Sequence, residues 1–438
     1  MAKPKLALIP ASQGSKLFSV LPSSGVGDFD FTRSGSATRI NSQGLIETVA
    51  NGQSRLNYPM IDGKVVGCPH HILEPQRTNL INYSEDFSNA YWTKTGASVT
   101  SDAAISPDGS LNADKLNILN TISEAKYLNS SVVTVGGGTA TIVTTQMFVK
   151  KGEVTIVGLS DGHYNYGWVV ADLTNGTVIS VGGAGYISNS ITLLANDWYL
   201  ISLTFTTHST GTYKATCSLL DGSYVSGNPK AYTSIGVIGF GVYIYGFQTE
   251  EGSYPTSYIP TNGSAVTRSA ETANGSGDAD TFNDSEGVLM AEISALDNDE
   301  IKEITLSNGG NAERILLSYN SIGRLDVNVI ASDTYQAAFN YTNINSTEFN
   351  KILISYKQND FKLFVNGFKV GNSLSGNIPS GLDTINFGAT YNASVNSFYG
   401  NTKQIQYYDS ALTDSDLEQL TSWISFTDMA NGQQYSII

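Results

Sequence analysis

Only two cysteines, Cys68 and Cys217, occur in 438 residues. They lie in segments of different character, so neither a disulfide framework nor a Cys-x-x-Cys site is available. Charge is scarce too: Asp, Glu, Lys and Arg make up 14% of the chain, well below the usual quarter. The balance is acidic, with a formal net charge of −15, which disfavours nucleic acid and anionic membranes as partners because both need clustered Lys and Arg. No apolar run approaches a membrane span, and the run 6–9 stops at Pro10, too short for the apolar part of a secretory signal. The expectation is synthesis in a cytoplasm without Sec export or membrane insertion, and stabilisation by packing and strand pairing alone.

What the chain does have is 40% hydrophobic residues together with 43 Gly and 24 Tyr. That is enough for two or three domains and is the composition of β-sandwiches with polar outer faces. The first 79 residues look different. The run 28–59 has no helical apolar stripe and little sustained alternation, so it buries little by itself and needs a partner surface. Up to Asn79 there are eight basic residues (Lys3, Lys5, Lys16, Arg33, Arg39, Arg55, Lys64, Arg77) against five acids (Asp28, Asp30, Glu47, Asp62, Glu74). A basic head on an acidic body suits docking onto an acidic protein surface. On this reading, deleting residues 1–78 leaves a soluble folded remainder.

From residue 80, short apolar runs separated by turn signals recur about every ten residues, the spacing of an all-β sandwich. Candidate strands are 141–149, 155–159, 164–173, 198–207, 212–220 and 235–248, with turns at Asp161-Gly162, Asn175-Gly176 and Asp221-Gly222. A polar stretch reads as a linker over 269–284. The β pattern then resumes over 285–438, where Asn366-Gly367 between alternating runs is the strongest hairpin signal. One helix is expected after Thr413 as cap, with Asp414 and Asp416 at its positive end and a stripe of Leu417, Leu420 and Trp423 or Ile424. The fold class is therefore all-β: an extended N-terminal segment followed by two antiparallel β-sandwiches.

Tyr164, Tyr166 and Trp168 repeat every second residue and so share a strand face, facing either the core or a sugar ring as a stacking platform. Tyr243, Tyr245 and Phe247 alternate with apolar Val242 and Ile244. A strand apolar on both faces has a core on one side and, on the other, a subunit or domain contact ahead of a ligand groove. Tyr407 and Tyr408 point opposite ways, which puts at least one at the surface. No pair of carboxylates with glycosidase spacing emerges from Asp297, Asp299, Glu300 and Glu303 or from Asp278, Asp280 and Asp284, so no enzyme is expected. Asp297, Asp299 and Glu300 are a weak calcium candidate and otherwise a solvated acidic surface. His70-His71 lacks the partners a zinc site needs, and Gly136-Gly137-Gly138 opens no helix, so it is no phosphate loop.

Three stretches resemble known families. The Phe29/Phe31 pair, Ser36-Ala37-Thr38-Arg39, Gly44-Leu45-Ile46-Glu47 and Glu74-Pro75-Gln76-Arg77-Thr78-Asn79-Leu80 resemble the head spike or fibre domain at the start of tailed-phage virion proteins. Residues 80–268 are similar to phage modules with the carbohydrate-binding-module jelly roll, through NYSEDFSNAYWTK, SPDGSLNADKL, NDWYLISLTFT and GFQTEEGSYPTSYIPTNGSAVTRSA. From 285 on, KILISYKQNDFKLFVNGFKVG and NTKQIQYYDSALTDSDLEQL resemble a laminin-G or concanavalin-A-like lectin domain. The resemblances imply a virion surface protein, a head fibre, spike or decoration protein made in the host cytoplasm. Phe29, Phe31, Arg33, Arg39, Arg55 and Arg77 would be its anchor to capsid or tail proteins. Glycan contacts would fall on Tyr164, Tyr166, Trp168, Tyr243, Tyr245 and Tyr407. Among proteins of this kind a homotrimer is usual, and cell-surface or mucus glycans are the implied ligands. The alternative is a tail or tail-fibre component whose lectin-like domains serve packing and bind no sugar. A fold does not fix a function, so the resemblances leave the site residues to be decided by their own geometry.

Overall fold

Between residues 93 and 251 the apolar runs pair into two six-stranded antiparallel sheets in a computed structural model that describes residues 3–389 and 396–423. One sheet runs Thr93–Thr95, Tyr127–Asn129, Ala215–Leu220, Ile156–Asp161, Trp168–Asp172, Thr177–Gly182. The other runs Ala97–Ile105, Leu111–Ile118, Gly241–Glu251, Ile142–Lys151, Trp198–Thr206, Tyr186–Leu193. Their inward residues, among them Val157, Leu159, Val169 and Cys217 facing Val143, Met147, Leu203 and Ile244, form one core. This is the sandwich that the turn spacing predicts.

The strand Gly241–Glu251 departs from simple alternation. Gly246 has φ +57°, and the pairing with Ile142–Lys151 slips there, so a bulge inserts one residue and inverts the faces beyond it. Phe247 therefore joins Val242 and Ile244 in the core. Tyr245 lies on the opposite face with Phe148, Trp198 and Tyr258, and Tyr243 packs at the edge of that cluster. The three aromatics do not share a face.

The second sandwich sets a five-stranded sheet (Thr334–Tyr341, Leu325–Ala331, Arg314–Tyr319, Lys302–Ser307, Thr384–Asn386) against a larger one. In the larger sheet the C-terminal strands Asn350–Lys357 and Glu286–Ala295 lead to Gly400–Tyr408, which then pairs with Leu6–Gln13 from the other end of the chain. Lys16–Leu21, Phe29–Thr32 and Thr272–Asn274 extend that sheet, and His70–Leu73 also pairs with Gly400–Tyr408. Leu6, Leu8, Leu17, Phe29, Phe31 and Leu73 are buried in the same core as Leu289, Ile354 and Ile405. The segment expected to take its order from a separate partner takes it from this chain. Phe29 and Phe31 alternate with exposed Asp30 and Thr32, a strand pattern that sends both rings inward, away from any docked protein.

The same segment also reaches the first sandwich. The hairpin Ala37–Ile40 with Ile46–Val49 lays Ile40 and Ile46 on Phe148, Trp198, Leu200 and Tyr245. The second apolar face of that sheet is thus an intrachain contact, the packing option that the doubly apolar strand implied. The stretch expected as a linker is built in likewise, with Ala273 and Phe282 in the second core and Glu271 buried.

Where the N-terminal segment meets both sandwiches, Arg33, Arg55 and Arg268 are buried with Glu74 and Glu271. Arg33 pairs with Glu271 at 2.8 Å, Arg55 with Glu74 at 2.8 Å and also with Glu271, and Arg268 with Glu74 at 2.8 Å. Donors left over from three guanidinium groups facing two carboxylates go to backbone oxygens of Ala50 (2.6 Å), Thr38 (2.8 Å) and Pro75 (3.0 Å). Arg33 and Arg55 are interior ion-pair members, so they are not an exposed anchor. Arg39 is part-buried and pairs with Glu47 at 3.0 Å on the hairpin, and Arg77 lies over the Tyr254 ring at 5.2 Å.

Other local expectations can be placed. Asn366 and Gly367 both have positive φ (50° and 87°) and join Asp360–Val365 to Phe368–Ser373 in a two-residue turn. Thr413 Oγ1 accepts the Asp416 N–H at 3.2 Å and caps the helix Asp414–Thr421. Leu417 seats that helix on Met290, Leu353 and Phe364. Ile424 lies outside the described residues. Neither Tyr407 nor Tyr408 is exposed. Tyr407 is in the core with its hydroxyl 2.7 Å from that of Tyr356, and Tyr408 lies in the cluster beneath the helix.

Candidate glycan-binding site

Tyr164 and Tyr166 precede the strand Trp168–Asp172 and are not part of it. Their loop is built around one buried carboxylate. Asp161 Oδ1 accepts the His163 N–H (2.9 Å) and Oδ2 accepts those of Tyr164 (3.3 Å) and Tyr166 (3.2 Å). Lys230 Nζ donates to the Gly162 carbonyl. A Cβ at Gly162 would stand 1.9 Å from Thr216 Oγ1 and 2.5 Å from Asn129 Oδ1, so only glycine lets the loop lie this close to its neighbours. Asp161-Gly162 reads in sequence as a hairpin turn; the Asp161 side chain instead organises the six-residue loop 162–167.

The loop presents an aromatic group. Tyr164 stacks on His208 with ring centroids 4.1 Å apart and planes inclined 20°. His163 meets Tyr164 edge-on at 4.1 Å, and Tyr166 meets His208 edge-on at 5.3 Å. Tyr164 remains 40% exposed, which matters because a ring already stacked and still accessible loses little freedom when a ligand lies against it. The Thr210 N–H donates to His208 Nδ1 at 3.3 Å, so the proton of a neutral ring sits on Nε2 and is available as a donor. His208 has no sequence signal that ties it to Tyr164, 44 positions earlier in the chain; the approach of two loops brings them together.

The remaining candidates lie elsewhere. Trp168 is half-buried against Ile156, Val170, Leu220 and Tyr224, on the outer face of its sheet and apart from the tyrosine pair. Tyr243 and Tyr245 lie under or beside the N-terminal hairpin, and Tyr407 is interior. At the calcium candidate, Asp297 pairs with Lys302 and Asp299 accepts from Ser253. Among the described residues no group of three His, Cys, Asp or Glu side chains is placed to hold a metal ion. Asp297 and Asp299 thus each engage a neighbouring side chain.

Residues 278–418 match the family model described as the concanavalin A-like lectin/glucanases superfamily. The match falls on the second sandwich, which is similar to that family. No curated protein matches the chain. Solved structures similar to parts of it include the carbohydrate-binding module CBM40 of the Ruminococcus gnavus IT-sialidase, at 17% identity and TM-score 0.29, covering 33% of this chain and 92% of that one. A putative carbohydrate binding protein from Bacteroides ovatus gives 13% and 0.24 over 68% and 80%. Domains LG4-5 of the mouse laminin alpha1 chain give 11% and 0.23 over 76% and 94%. The lectin-like fold itself rests on the family match and on the paired antiparallel sheets.

Proposed function

We propose that this is a glycan-binding surface protein of a tailed-phage virion, a head fibre, spike or decoration protein, with the loop-end group of Tyr164, Tyr166 and His208 as its sugar contact. The observation that carries the glycan reading is the Tyr164–His208 stack, exposed on a loop that the buried Asp161 carboxylate ties in place. An exposed ring offers a face to the C–H side of a sugar, and the His208 Nε2–H offers a directional bond to a hydroxyl. The virion assignment is supported by the motifs of residues 28–80, and capsid or tail proteins are its proposed partners. Its copies would form a homo-oligomer, a trimer in this proposal, so that weak single sites act together with an avidity gain of about 10²–10⁴. No catalytic step is assigned.

The test is a glycan array probed with the full chain and with Tyr164→Ala. The expected result is binding to bacterial surface or mucin-type glycans, weakened about two- to tenfold by loss of one stacked ring at ~0.5–1.5 kcal/mol. Silence of the intact chain, or binding indifferent to Tyr164→Ala, would remove the site. Immunogold labelling that fails to decorate phage particles would remove the virion assignment. The competing structural reading, lectin-like domains used for packing, is favoured by the exposed apolar loops at 119–122 and 235–240.

A further inference from the structure

At one end of the first sandwich a buried lysine ties two loops together. Lys126 Nζ donates to the carbonyl oxygens of Ile122 (2.9 Å), Glu124 (3.3 Å) and Ser234 (2.6 Å). The seam continues as the Ile118 N–H donates to Phe240 O at 2.8 Å and the Gly239 N–H to Ile118 O at 3.0 Å. On this fixed frame Leu119, Ile122, Ile235, Val237, Ile238 and Phe240 are all between 42% and 63% exposed. Single exposed apolar residues are ordinary, but six on two pinned loops are not. Clustered on two adjoining loops they form an apolar surface of the order of a few hundred Å², the size at which a patch marks an interaction site.

Neither 119–122 nor 234–240 contains a charged residue, and neighbouring Lys115 is paired with Glu153 at 2.8 Å. In a chain of net charge −15, these uncharged loops add no like-charge repulsion between two copies. No free cluster of Lys or Arg flanks it to favour an anionic lipid surface. A cavity of about 180 Å³ opens beside Val237 and Phe240, with apolar walls from Ile118, Val154 and Leu219 and with Glu153 and Asp221 also in its lining, the first paired with Lys115 and the second accepting from Ser223 and Tyr232. Ile238 and Ile122 project from the same loops. The patch thus carries both a hole and side chains of a size to fill one, so a copy of itself satisfies it.

We propose that the loops 119–122 and 234–240 are the self-association surface of this protein, with an isoleucine of one copy entering the cavity of the next. Reciprocal insertion gives a two-fold pair, and insertion around a ring gives a closed trimer. This names the contact for the oligomer of the proposed function and rests on that oligomer, but not on sugar binding.

Sedimentation equilibrium of the full chain at micromolar concentration tests it, beside Ile238→Asp and, in a Cys68→Ser background, Val237→Cys. The expected result is an oligomer for the intact chain, a monomer for Ile238→Asp that still unfolds cooperatively but gives a glycan-array signal weakened by the lost avidity, and a disulfide-linked dimer for Val237→Cys on oxidation. An intact chain that is monomeric throughout overturns both the surface and the oligomer. An Ile238→Asp chain that stays associated overturns the surface alone. Co-sedimentation of a monomeric intact chain with phosphatidylcholine vesicles, lost in Ile238→Asp, assigns the patch to a lipid surface instead.

Discussion

The core of the first sandwich and the junction that holds the N-terminal segment are assembled by opposite means. The sandwich buries aliphatic and aromatic side chains from strands of one region, and its order follows from alternation along each strand. The junction buries Arg33, Arg55, Arg268, Glu74 and Glu271, groups that gain nothing from leaving water unless every partner is in place. A segment too poor in apolar residues to make its own core is ordered by inserting strands into a distant sheet and by meeting remote carboxylates. Such a junction is specific and all-or-none, whereas a core made of methyl groups degrades gradually.

That contrast is broken most severely by removing residues 1–78. Leu6, Leu8, Leu17, Phe29 and Phe31 leave the second core, a loss of about 10 kcal/mol at 1.5–3 kcal/mol per side chain, comparable to the whole stability of a typical domain. The strand Gly400–Tyr408 is also left as a bare edge. The expected outcome is an insoluble product or one without a cooperative urea transition. A soluble deletion protein with the Tm of the full chain would show that the segment is an appendage after all.

A single substitution sharpens the comparison. Arg55→Met removes the residue that touches both Glu74 and Glu271, breaking two buried ion pairs and leaving each carboxylate one guanidinium partner, Arg268 and Arg33 respectively, at a cost of about 3 kcal/mol. Leu203→Val, one methylene out of the sandwich core, should cost about 1 kcal/mol. Equal shifts in urea midpoint for the two variants would deny that the junction is the more brittle construction.

How much of this was legible in the chain follows the same division. Strands of the first sandwich, the Asn366-Gly367 turn and the Thr413 cap depend on neighbours within a few residues, so periodicity and turn chemistry reach them. Leu6 pairs with Tyr407, and Arg33 finds Glu271 238 positions away. No local pattern reports such partners. The alternation of Phe29 and Phe31 with Asp30 and Thr32 was a strand signal, overridden by the polar composition around it. The Gly246 bulge hid the true facing of Phe247 because period-two counting assumes an uninterrupted pleat. At the candidate site Tyr164 and Tyr166 stood out as aromatics, while His208 and the organising role of Asp161 came only with the folded loops.

Acid should separate the two regions most delicately. Burial holds His71 down to about 3, and burial together with nearby Lys403 does the same for His70. Both lie on the strand His70–Leu73, where the N-terminal segment joins the second sandwich. An unfolded histidine takes up its proton near pH 6.5, so stability at this strand is complete above that value. It falls as pH drops toward 3, by up to ~1.4 kcal/mol per unit for each ring. Glu74 adds to the loss at lower pH. Burial opposes its charge, but the Arg268 and Arg55 guanidinium groups outweigh it and bring Glu74 to about 2, so its contribution fades between about 4.5 and 2. In the first sandwich the sign reverses: burial raises Asp114 to about 6 and lifts Glu85 and Glu250 above the ordinary carboxylate range. A raised carboxyl binds its proton more readily in the folded state, so Asp114 favours folding as pH falls through about 6, and Glu85 and Glu250 act in the same direction. Hydrogen exchange at pH 7 and pH 5, corrected for intrinsic rates, should therefore show amides of 70–73 and 400–402 losing protection while those of 143–149 keep theirs. Uniform loss across both regions, or earlier loss in the sandwich, would contradict the opposed titrations.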